Sequence, residues 1–385
     1  MSIAAVPAYL GKDFNSAPPG HRFTLYLEAW RDDFTLDKNN KAQAVKRALP
    51  LPDAGKALEA LRARQLALAD ALKAEIFDAT ATAPFATGLG MEHPLENGFA
   101  FLNPYGLPYL PGSGVKGVLR AAARELCPES EGGKFDSDAG WTQDKVRALF
   151  GGDPGKEPFS RGALTFWDVI PTLPGNTMRV DVMTPHQPHY YQNGATPHDS
   201  GQPNPIPFLT VPPGAEFRFI VTCEEKYLKG GPLQNGAWKV LLKAAFMHAY
   251  EWLGFGAKTA VGYGAMARDS KAESRREAER QERQAEERKG AEAAERAAQL
   301  AAMSPVDRKI AEAIAAKQPG QSDDSAVFNA LKGGSFDASE IREAAAKLKA
   351  MMQSARSWKE TTAAKKPEKD KEHQRTLQVM QWLKD

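Results

Sequence analysis

The sequence predicts an α+β fold in which helices pack on one face of a sheet, followed by a charged helix and a small helical module. Before Ala267, short alternating runs typical of strands are interleaved with longer apolar helical runs. Hydrophobic residues make up 42% and charged residues 25%, as in globular proteins. The 385 residues suffice for two domains. We therefore predict a core in residues 1–268, a charged helical linker in 269–303 and a helical module in 304–385.

The strands of the core are predicted from alternation and from turn residues. RFTLYLEAW (22–30) alternates like a strand. RGALTFWDVIP (161–171) and TMRVDVMTP (177–185) predict a pair of strands, because Pro-Gly-Asn separates them. FLTVPPGAEFRFIVTCEE (208–225) predicts a hairpin with Pro-Pro-Gly at its tip.

Three helices are predicted in the core. Residues 54–76 carry leucines at helical spacing, and residues 115–126 follow a Pro-Gly-Ser-Gly turn. Residues 238–253 are strongly apolar and are ended by Gly254.

The region after the core changes composition sharply. Its first 30 or so residues are almost wholly Ala, Glu, Arg, Gln and Lys, with opposite charges three or four apart and no apolar stripe, which predicts a solvated helix. Apolar spacing returns from Ser304, and Asp337 is a predicted N-cap with Glu340 three residues on. A linker (365–372) and a short closing helix complete the module.

Composition argues against export, membrane insertion and a cysteine-based metal site. No apolar run is long enough to cross a bilayer, and the N-terminus lacks the pattern of a signal peptide. Cys127 and Cys223 are two isolated cysteines, which suit a reducing compartment. We therefore expect a cytoplasmic protein with no membrane contact and no metal.

The charge balance limits how the core could bind nucleic acid. Of 50 basic and 48 acidic residues, residues 269–385 hold 23 and 21, which leaves 27 of each in residues 1–268. An independent nucleic-acid binder usually has a clear basic excess. Any contact with phosphates must therefore come from a local patch or be completed by partner subunits.

The first notable motif is GLPYLPGSGVKGVLR (106–120), which follows GLGMEHPLENGFAF (88–101). Backbone N–H groups at a helix start, with Ser113 nearby, form an anion site. Lys116 and Arg120 are four residues apart and share one helix face, where both could approach a phosphate. The alternative is an ordinary helix start with two solvated cations.

The second motif is GFGAKTAVGYG (254–264). Glycine-rich backbone can approach a phosphate closely, and Lys258 and Thr259 add a charge and a hydroxyl. A nucleotide-binding P-loop is excluded, because that motif requires glycine where Ala257 stands. The alternative is a helix end that runs into a glycine-tolerant strand. The glycines of the motif are Gly254, Gly256, Gly262 and Gly264.

The third motif is DVMTPHQPHYYQNGATPHDS (181–200). His186, His189 and His198 lie beside Tyr190, and such residues can bind a metal or supply the acid and base of a nuclease. The segment is loop-like and interrupted by prolines, however, so it offers no regular element to hold ligand geometry. Histidines and tyrosines in such loops also contact partners or stack on bases.

Together these segments resemble the RAMP superfamily of CRISPR-associated proteins, and most closely the family formed by the sixth subunit of Cmr-type (type III-B) effectors. The similarity covers roughly Glu75 to Arg268. It implies a ferredoxin-like (RRM-like) core that joins a filament of RAMP subunits along a guide RNA, toward the guide's 3′ end. In that family, target cleavage is attributed to a different backbone subunit. The guide-contacting region falls on Ser113, Lys116 and Arg120, and the family's glycine-rich loop falls on residues 254–264.

Three functions remain open at this point. The leading hypothesis is a non-catalytic RNA-binding structural subunit that needs no cofactor, with guide CRISPR RNA, target RNA and other RAMP subunits as partners. The alternative is a metal-independent RAMP endoribonuclease acting on CRISPR RNA. A third is a protein-interaction adaptor without RNA contact. The residues that would be catalytic in the second case, or would contact RNA or a partner in the first, are His93, His186, His189 and Tyr190.

Overall fold

The computed structural model describes residues 3–51, 54–134, 140–152, 160–184, 190, 194–196, 205–228, 231–362 and 367–384. The chain forms two compact units, Met1–Arg276 and Glu277–Asp385. The first contains both strands and helices, so the predicted α+β class is confirmed. No helix of the described ranges is both long and apolar enough to span a bilayer.

The first unit begins with two short strands and three helices. They are β1 (Ile3–Ala4), α1 (Pro19–Phe23), β2 (Glu28–Trp30), α2 (Lys41–Arg47) and α3 (Ala54–Ala71). The unit continues with β3 (Glu75–Ala81), β4 (Phe101–Leu102), β5 (Leu107–Pro108), α4 (Gly112–Glu125), α5 (Gln143–Phe150), β6 (Leu164–Phe166), β7 (Arg179–Met183), β8 (Ile206–Thr210), β9 (Glu216–Cys223), α6 (Trp238–His248), β10 (Met266–Arg268) and the first turns of α7 (Ser270–Ala302).

A four-stranded antiparallel sheet organises this unit. Its spatial order is β10-β3-β9-β6, and β3 pairs with β9 from Glu75↔Val221 to Thr80↔Glu216. Along the chain, α4 and α5 lie between β3 and β6, and α6 lies between β9 and β10. The sheet is therefore built in the order strand–helix–strand–strand–helix–strand, with the first and third strands at its centre.

One face of the sheet packs against α6. The Phe77 ring of β3 stacks on Phe246 at 4.1 Å between centroids, and Phe219 of β9 lies 5.3 Å from the same ring. Successive strand residues point to opposite faces, so these positions define the apolar side of the sheet. Phe219 and Phe246 belong to the main hydrophobic core, and the partly buried Phe77 packs against it.

The opposite face carries a buried ion-pair network. Asp78 of β3 is 4% exposed, and it accepts hydrogen bonds from Arg218 Nε at 2.7 Å and from Arg276 Nε at 2.8 Å. Asp269 accepts a hydrogen bond from Thr80 Oγ1 at 3.0 Å and one from the Ala272 N–H at 2.9 Å, which caps α7. These contacts fix the first turns of α7 to the sheet.

The same face is also covered by α3. Residues of α3 and α7 enclose a small cavity of about 40 Å³ over β3 and β9. Arg62 of α3 lines it and donates a hydrogen bond to the Ile170 carbonyl at 2.8 Å. Burial, assisted by the charge of Arg218, lowers the pKa of Arg62 to about 10. Around Asp78, this face is therefore occupied by the protein itself.

Several sequence predictions need correction. The segment 22–30 is only partly a strand: Pro19 starts helix α1, which runs through Phe23, because proline is well suited to the first turn of a helix. The helix predicted for 54–76 ends at Ala71, because Lys73 has a positive φ of 52° and the chain turns into β3.

The strand partners were also predicted incorrectly. β6 pairs with β9, and β7 pairs with β8, so the segments around Pro174–Asn176 do not pair with each other. The predicted hairpin at 208–225 is instead divided between two sheets, since β8 pairs with β7 while β9 pairs with β3. The helices α4 and α6 lie where the sequence predicted them.

The second unit has a hydrophobic core of its own. After α7 it contains α8 (Pro305–Ala315), α9 (Asp323–Lys332), α10 (Ile341–Ser354) and α11 (Lys371–Trp382). Each of these helices contributes buried residues, among them Val306, Val327, Leu348 and Val379. The N-cap of α10 is Glu340 rather than Asp337, whose N–H instead donates to the Glu340 carboxylate at 2.9 Å.

Candidate nucleic-acid interface

An open cleft with a volume of about 440 Å³ lies at the N-terminal end of α4. Ser113, Lys116 and Arg120 form one wall, on successive turns of the helix. The other walls come from the segment after α5 and from the chain that enters β6, including Arg161. The three residues predicted from the first motif therefore line one cleft.

Glycines allow these walls to approach each other closely. A Cβ on Gly112 would lie 2.1 Å from the Phe166 carbonyl oxygen, and a Cβ on Gly162 would lie 2.5 Å from the Gly151 nitrogen. The Gly152 N–H donates to the Ser160 carbonyl at 2.9 Å. Side chains at Gly112 and Gly162 would therefore separate the segments that form the cleft.

Positive charge is concentrated in the cleft. Burial lowers the pKa of Lys116, and the neighbouring charges of Arg120 and Arg161 lower it further. Arg120 Nη2 donates to the Gly151 carbonyl at 3.2 Å, which holds its guanidinium at the wall. Three cations that repel one another at one cleft would be stabilised by a bound anion such as a phosphate.

The backbone N–H groups at the start of α4 contribute less to anion binding than the sequence predicts. The Gly112 N–H donates to Asp168 Oδ1 at 2.7 Å, and the Gly114 N–H donates to the Pro111 carbonyl at 2.8 Å. A carboxylate of the protein thus already occupies the favourable position at the helix start. Attraction for an external anion comes mainly from the side chains of Lys116, Arg120 and Arg161.

Arg161 was not predicted from the sequence, because it lies 41 positions after Arg120 and belongs to a strand-like run. A contact between the Gly151 and Arg161 backbones brings it to the cleft, through an isolated antiparallel bridge. Only the tertiary structure identifies this residue as part of the site.

The glycine-rich loop (254–264) is held against the end of β3. The Ala257 N–H donates to the Ala86 carbonyl at 2.7 Å, and the Gly264 N–H donates to the Pro84 carbonyl at 2.8 Å. A Cβ on Gly256 would lie 2.3 Å from the Ala86 oxygen, and one on Gly264 would lie 1.8 Å from the Phe255 oxygen. These two glycines, both at positive φ, are therefore required by internal packing.

The tip of this loop behaves differently from its base. Lys258 has a φ of 61°, an uncommon conformation for a residue other than glycine, and its Nζ lies 5.9 Å from the centre of the Phe208 ring. Thr259 starts a short 3₁₀ turn in which Val261 is 69% exposed. Space is open around Gly262, whose added Cβ would meet no described atom within 4 Å. The tip is therefore accessible to a partner.

The loop is anchored to the β7–β8 pair near its end. Tyr263 Oη donates to Asp181 Oδ2 at 2.6 Å. Burial and this hydrogen bond raise the pKa of Tyr263 to about 12. Gly254, at the start of the loop, follows a π-helical turn over Ala249–Leu253 that extends α6.

The two motifs lie at different levels of the sheet. Phe166 at the end of β6 pairs with Val221, and Val221 also pairs with Glu75, the first residue of β3. The glycine-rich loop contacts the chain just after β3, and Gly112 contacts Phe166 at the end of β6. Over the described residues, the cleft is lined by none of residues 254–264, so direct cooperation of Lys116 with Lys258 remains a prediction.

His93 is used by the fold. Its Nδ1 accepts the Leu95 N–H at 3.1 Å, so Nε2 carries the proton and donates to the Phe23 carbonyl at 2.8 Å. The ring stacks on Phe23 at 4.0 Å, and burial lowers the pKa of His93. Both ring nitrogens therefore have partners within the protein.

Most of the third motif lies outside the described residues. His186, His189 and His198 lie outside the described residues. Tyr190 is 44% exposed. Within the described ranges, no three histidine, cysteine or acidic side chains come together as a metal-binding group.

Comparison with known proteins supports the resemblance seen in the motifs. Residues 78–267 match the RAMP superfamily. The chain is 30% identical to the CRISPR system Cmr subunit Cmr6 of Pyrococcus furiosus, over 46% of this chain and 63% of that protein. It is 28% identical to the CRISPR system CMR subunit Cmr6 of Saccharolobus solfataricus, over 44% of this chain and 47% of that protein. The match thus spans about half to just under two thirds of these relatives.

Solved structures give weaker similarity. The crystal structure of Cmr6 from Pyrococcus furiosus is 25% identical, with 51% of this chain and 98% of that chain covered and a TM-score of 0.30. A chain of the type III-B Cmr-beta complex bound to cognate target RNA is 22% identical, with 60% and 71% covered and a TM-score of 0.42.

Proposed function

We propose that this chain, a Cmr6-like RAMP protein by its match over residues 78–267, is a non-catalytic RNA-binding subunit of a type III-B CRISPR effector complex. In this role it binds guide RNA toward the 3′ end and supports recognition of target RNA in antiviral defence. The observation that carries the proposal is the cleft at the start of α4, where Lys116, Arg120 and Arg161 converge.

The sheet topology supports a ferredoxin-like interpretation of the core. The strand order β10-β3-β9-β6 is the order 4-1-3-2 of the sheet's own strands, all antiparallel, with helices in the two crossover connections. RNA-recognition motifs with this topology bind bases on the open sheet face. Here α3 and α7 cover that face around Asp78, so RNA is expected in the cleft at the start of α4 instead.

The charge balance supports a subunit rather than an independent binder. Residues 1–268 hold equal numbers of basic and acidic side chains, and the positive charge of the cleft is local. Neighbouring RAMP subunits are therefore the expected partners, since they would complete the contact surface along the RNA.

An endoribonuclease finds no support among the described residues. Both nitrogens of His93 have hydrogen-bond partners within the fold, which leaves neither for acid–base chemistry. Of the remaining candidates, Tyr190 is partly exposed, and His186 and His189 lie outside the described residues. Metal-independent cleavage of repeat RNA by the purified chain, lost in His186→Ala, would favour this alternative.

The test compares guide RNA binding by complexes that contain wild-type protein or the double variant Lys116→Ala, Lys258→Ala. We expect the variant to weaken RNA retention without changing the thermal unfolding of the chain. If both lysines contact phosphates, the slope of log K against log salt concentration should fall by about 1.4, since each contact contributes roughly 0.7 with single strands.

A charge-matched control is the double variant Lys46→Ala, Lys332→Ala. Both lysines are exposed and neither lines the cleft or the glycine-rich loop. The control should retain RNA like the wild type. Unchanged binding and an unchanged salt slope in the Lys116/Lys258 variant would refute the proposed RNA contact.

A further inference from the structure

An exposed aromatic ring lies beside the cationic cleft. Tyr227 follows β9 and is 45% exposed. The Arg161 guanidinium carbon lies 5.4 Å from the centre of its ring, and Lys226 Nζ lies 5.0 Å from it. These distances are those of cation–π contacts, so two positive charges are held next to an accessible ring.

Arg161 connects this ring to the cleft. It lines the cleft together with Lys116 and Arg120, and it also packs over Tyr227. Arg161 Nη2 donates to Glu224 Oε1 at 2.8 Å, and Lys226 Nζ contacts Glu224 Oε2 at 2.5 Å. Glu224 therefore positions both cations near the ring while it neutralises part of their charge.

We propose that the cleft and Tyr227 form one nucleotide-binding subsite for single-stranded RNA. A phosphate occupies the cleft between Lys116, Arg120 and Arg161, and the adjacent base stacks on the exposed part of the Tyr227 ring. This inference rests on the proposed RNA-binding function and adds a base-stacking position that the RAMP motifs do not include. No sequence motif identified Arg161 or Tyr227.

The combination of groups favours single-stranded RNA over other anions. Proteins that bind single strands without sequence readout combine a cationic groove with aromatic rings on which bases stack. An acidic peptide would use the cations but would gain little from the ring. The subsite should accordingly tolerate different bases, because every base presents a stacking face.

Two oligoribonucleotide probes of equal length separate the base contact from the phosphate contact. One is a ten-nucleotide oligouridylate, and the other carries the same ribose-phosphate backbone without bases. Binding to the full-length chain is measured by fluorescence anisotropy at low salt. Tyr227→Ala should weaken binding of the oligouridylate about tenfold, as expected for the loss of one stacked base, and should leave binding of the abasic probe unchanged.

Conservative and charge variants test the remaining parts of the subsite. Tyr227→Phe should bind like the wild type, because it keeps the ring. Arg161→Ala should weaken binding of both probes, because it removes a phosphate contact. Glu224→Gln should strengthen binding of both, because Arg161 and Lys226 are released from their ion pairs. Tyr9→Ala is a matched control, since Tyr9 is 85% exposed and lines no part of the cleft.

The outcomes distinguish this inference from the proposed function. If the wild-type chain binds the oligouridylate and Tyr227→Ala binds it equally well, the stacking subsite is wrong while RNA binding stands. If the wild-type chain binds neither probe by itself, the subsite is wrong, and the proposed function is decided by guide RNA retention in complexes with and without the Lys116 and Lys258 substitutions. If an oligoglutamate peptide displaces RNA and Tyr227→Ala has no effect, the cleft is a site for an acidic protein segment instead.

Discussion

Two glycines of α4 differ in their roles: the fold requires one of them and does not require the other. Gly112 has no room for a side chain, since a Cβ would lie 2.1 Å from the Phe166 oxygen. Gly117 is exposed in the interior of the same helix, and no atom would meet an added Cβ within 4 Å. A glycine in a helix interior lowers stability relative to alanine, so nothing within the described fold explains Gly117. Its position directly after Lys116 suggests that an external ligand approaches this face.

We expect opposite effects from alanine at these two positions. Gly112→Ala should lower the free energy of unfolding by about 2 kcal/mol or more, because the methyl group overlaps backbone that cannot move easily. Gly117→Ala should raise it by about 0.5–1 kcal/mol and should nevertheless weaken RNA binding. Urea denaturation and anisotropy titrations measure the two effects. A Gly117→Ala protein that is more stable and binds RNA as tightly as the wild type would show that no ligand approaches there.

The two cysteines should be unreactive in the native protein. Burial, aided by Glu225 and Glu224, raises the pKa of Cys223 to about 12. Burial also raises the pKa of Cys127, which is fully buried. Because the thiolate is the reacting form, modification by a maleimide at pH 8 should be far slower than for a free thiol.

The pH dependence of thiol modification shows in which direction the pKa of Cys223 is shifted. The native rate should continue to rise above pH 10, whereas the urea-unfolded chain should level off near the ordinary thiol pKa of about 8.5. A native rate that levels off near pH 8.5 would contradict the raised pKa of Cys223.

At the residue scale, sequence reasoning found part of the site. Lys116 and Arg120 were predicted because they are four residues apart on one helix face, and Ser113 because it lies at the helix start; all three line the cleft. Arg161 and Tyr227 were not predicted, because they reach the site through contacts between distant segments. Sequence reasoning did not show that Gly256 and Gly264 accommodate the protein's own backbone, and contact of these glycines with RNA remains a prediction.

At the level of elements, the start of α7 depends on buried charge. Asp78 lies on the central strand β3 and receives hydrogen bonds from Arg218 of β9 and Arg276 of α7. Removing one partner from a buried ion pair leaves the others uncompensated, which is strongly destabilising. A helix without an apolar stripe is thus attached to the sheet by ion pairs at its first turns.

Asp78→Asn should lower the free energy of unfolding of the first unit by about 3–5 kcal/mol. It should also speed hydrogen exchange in the first turns of α7, because Arg276 loses its partner. Asp144→Asn is a suitable control, since its carboxylate is 92% exposed and pairs with Arg147 three residues on; its effect should stay within about 0.5 kcal/mol. Equal stability of the two variants would mean that Asp78 does not anchor α7.

The elements themselves were predicted more reliably than their pairing. The apolar stretch of α6 and the turn before α4 are local signals, and both helices form. The partners of β6, β7 and β8 depend on contacts distant in sequence, which alternation alone cannot specify. The strand β3 was missed because its residues continued the leucine-rich helical pattern, although Phe77, Asp78 and Ala79 alternate in the manner of a strand.

At the scale of the whole molecule, the two units differ in what is known of their binding surfaces. Residues 1–268 have no net charge, yet they gather cations at one cleft at the N-terminal end of α4. The second unit has its own core of helices, and the sequence offers no motif for what it binds. The predicted domain boundaries at 268 and 303 differ from the division by contacts at Arg276, because the ion pairs of Asp78 hold the first turns of α7 in the first unit.

The proposed function requires that the cleft at the start of α4 contacts guide RNA in an assembled effector. The most direct measurement is photo-crosslinking of reconstituted particles that carry 4-thiouridine in the guide, followed by mass spectrometry of this chain. We expect RNA adducts on peptides that contain residues 112–120 or Tyr227, and their loss in Lys116→Ala, Arg161→Ala particles. Adducts on neighbouring subunits with none on these peptides would contradict the proposed function.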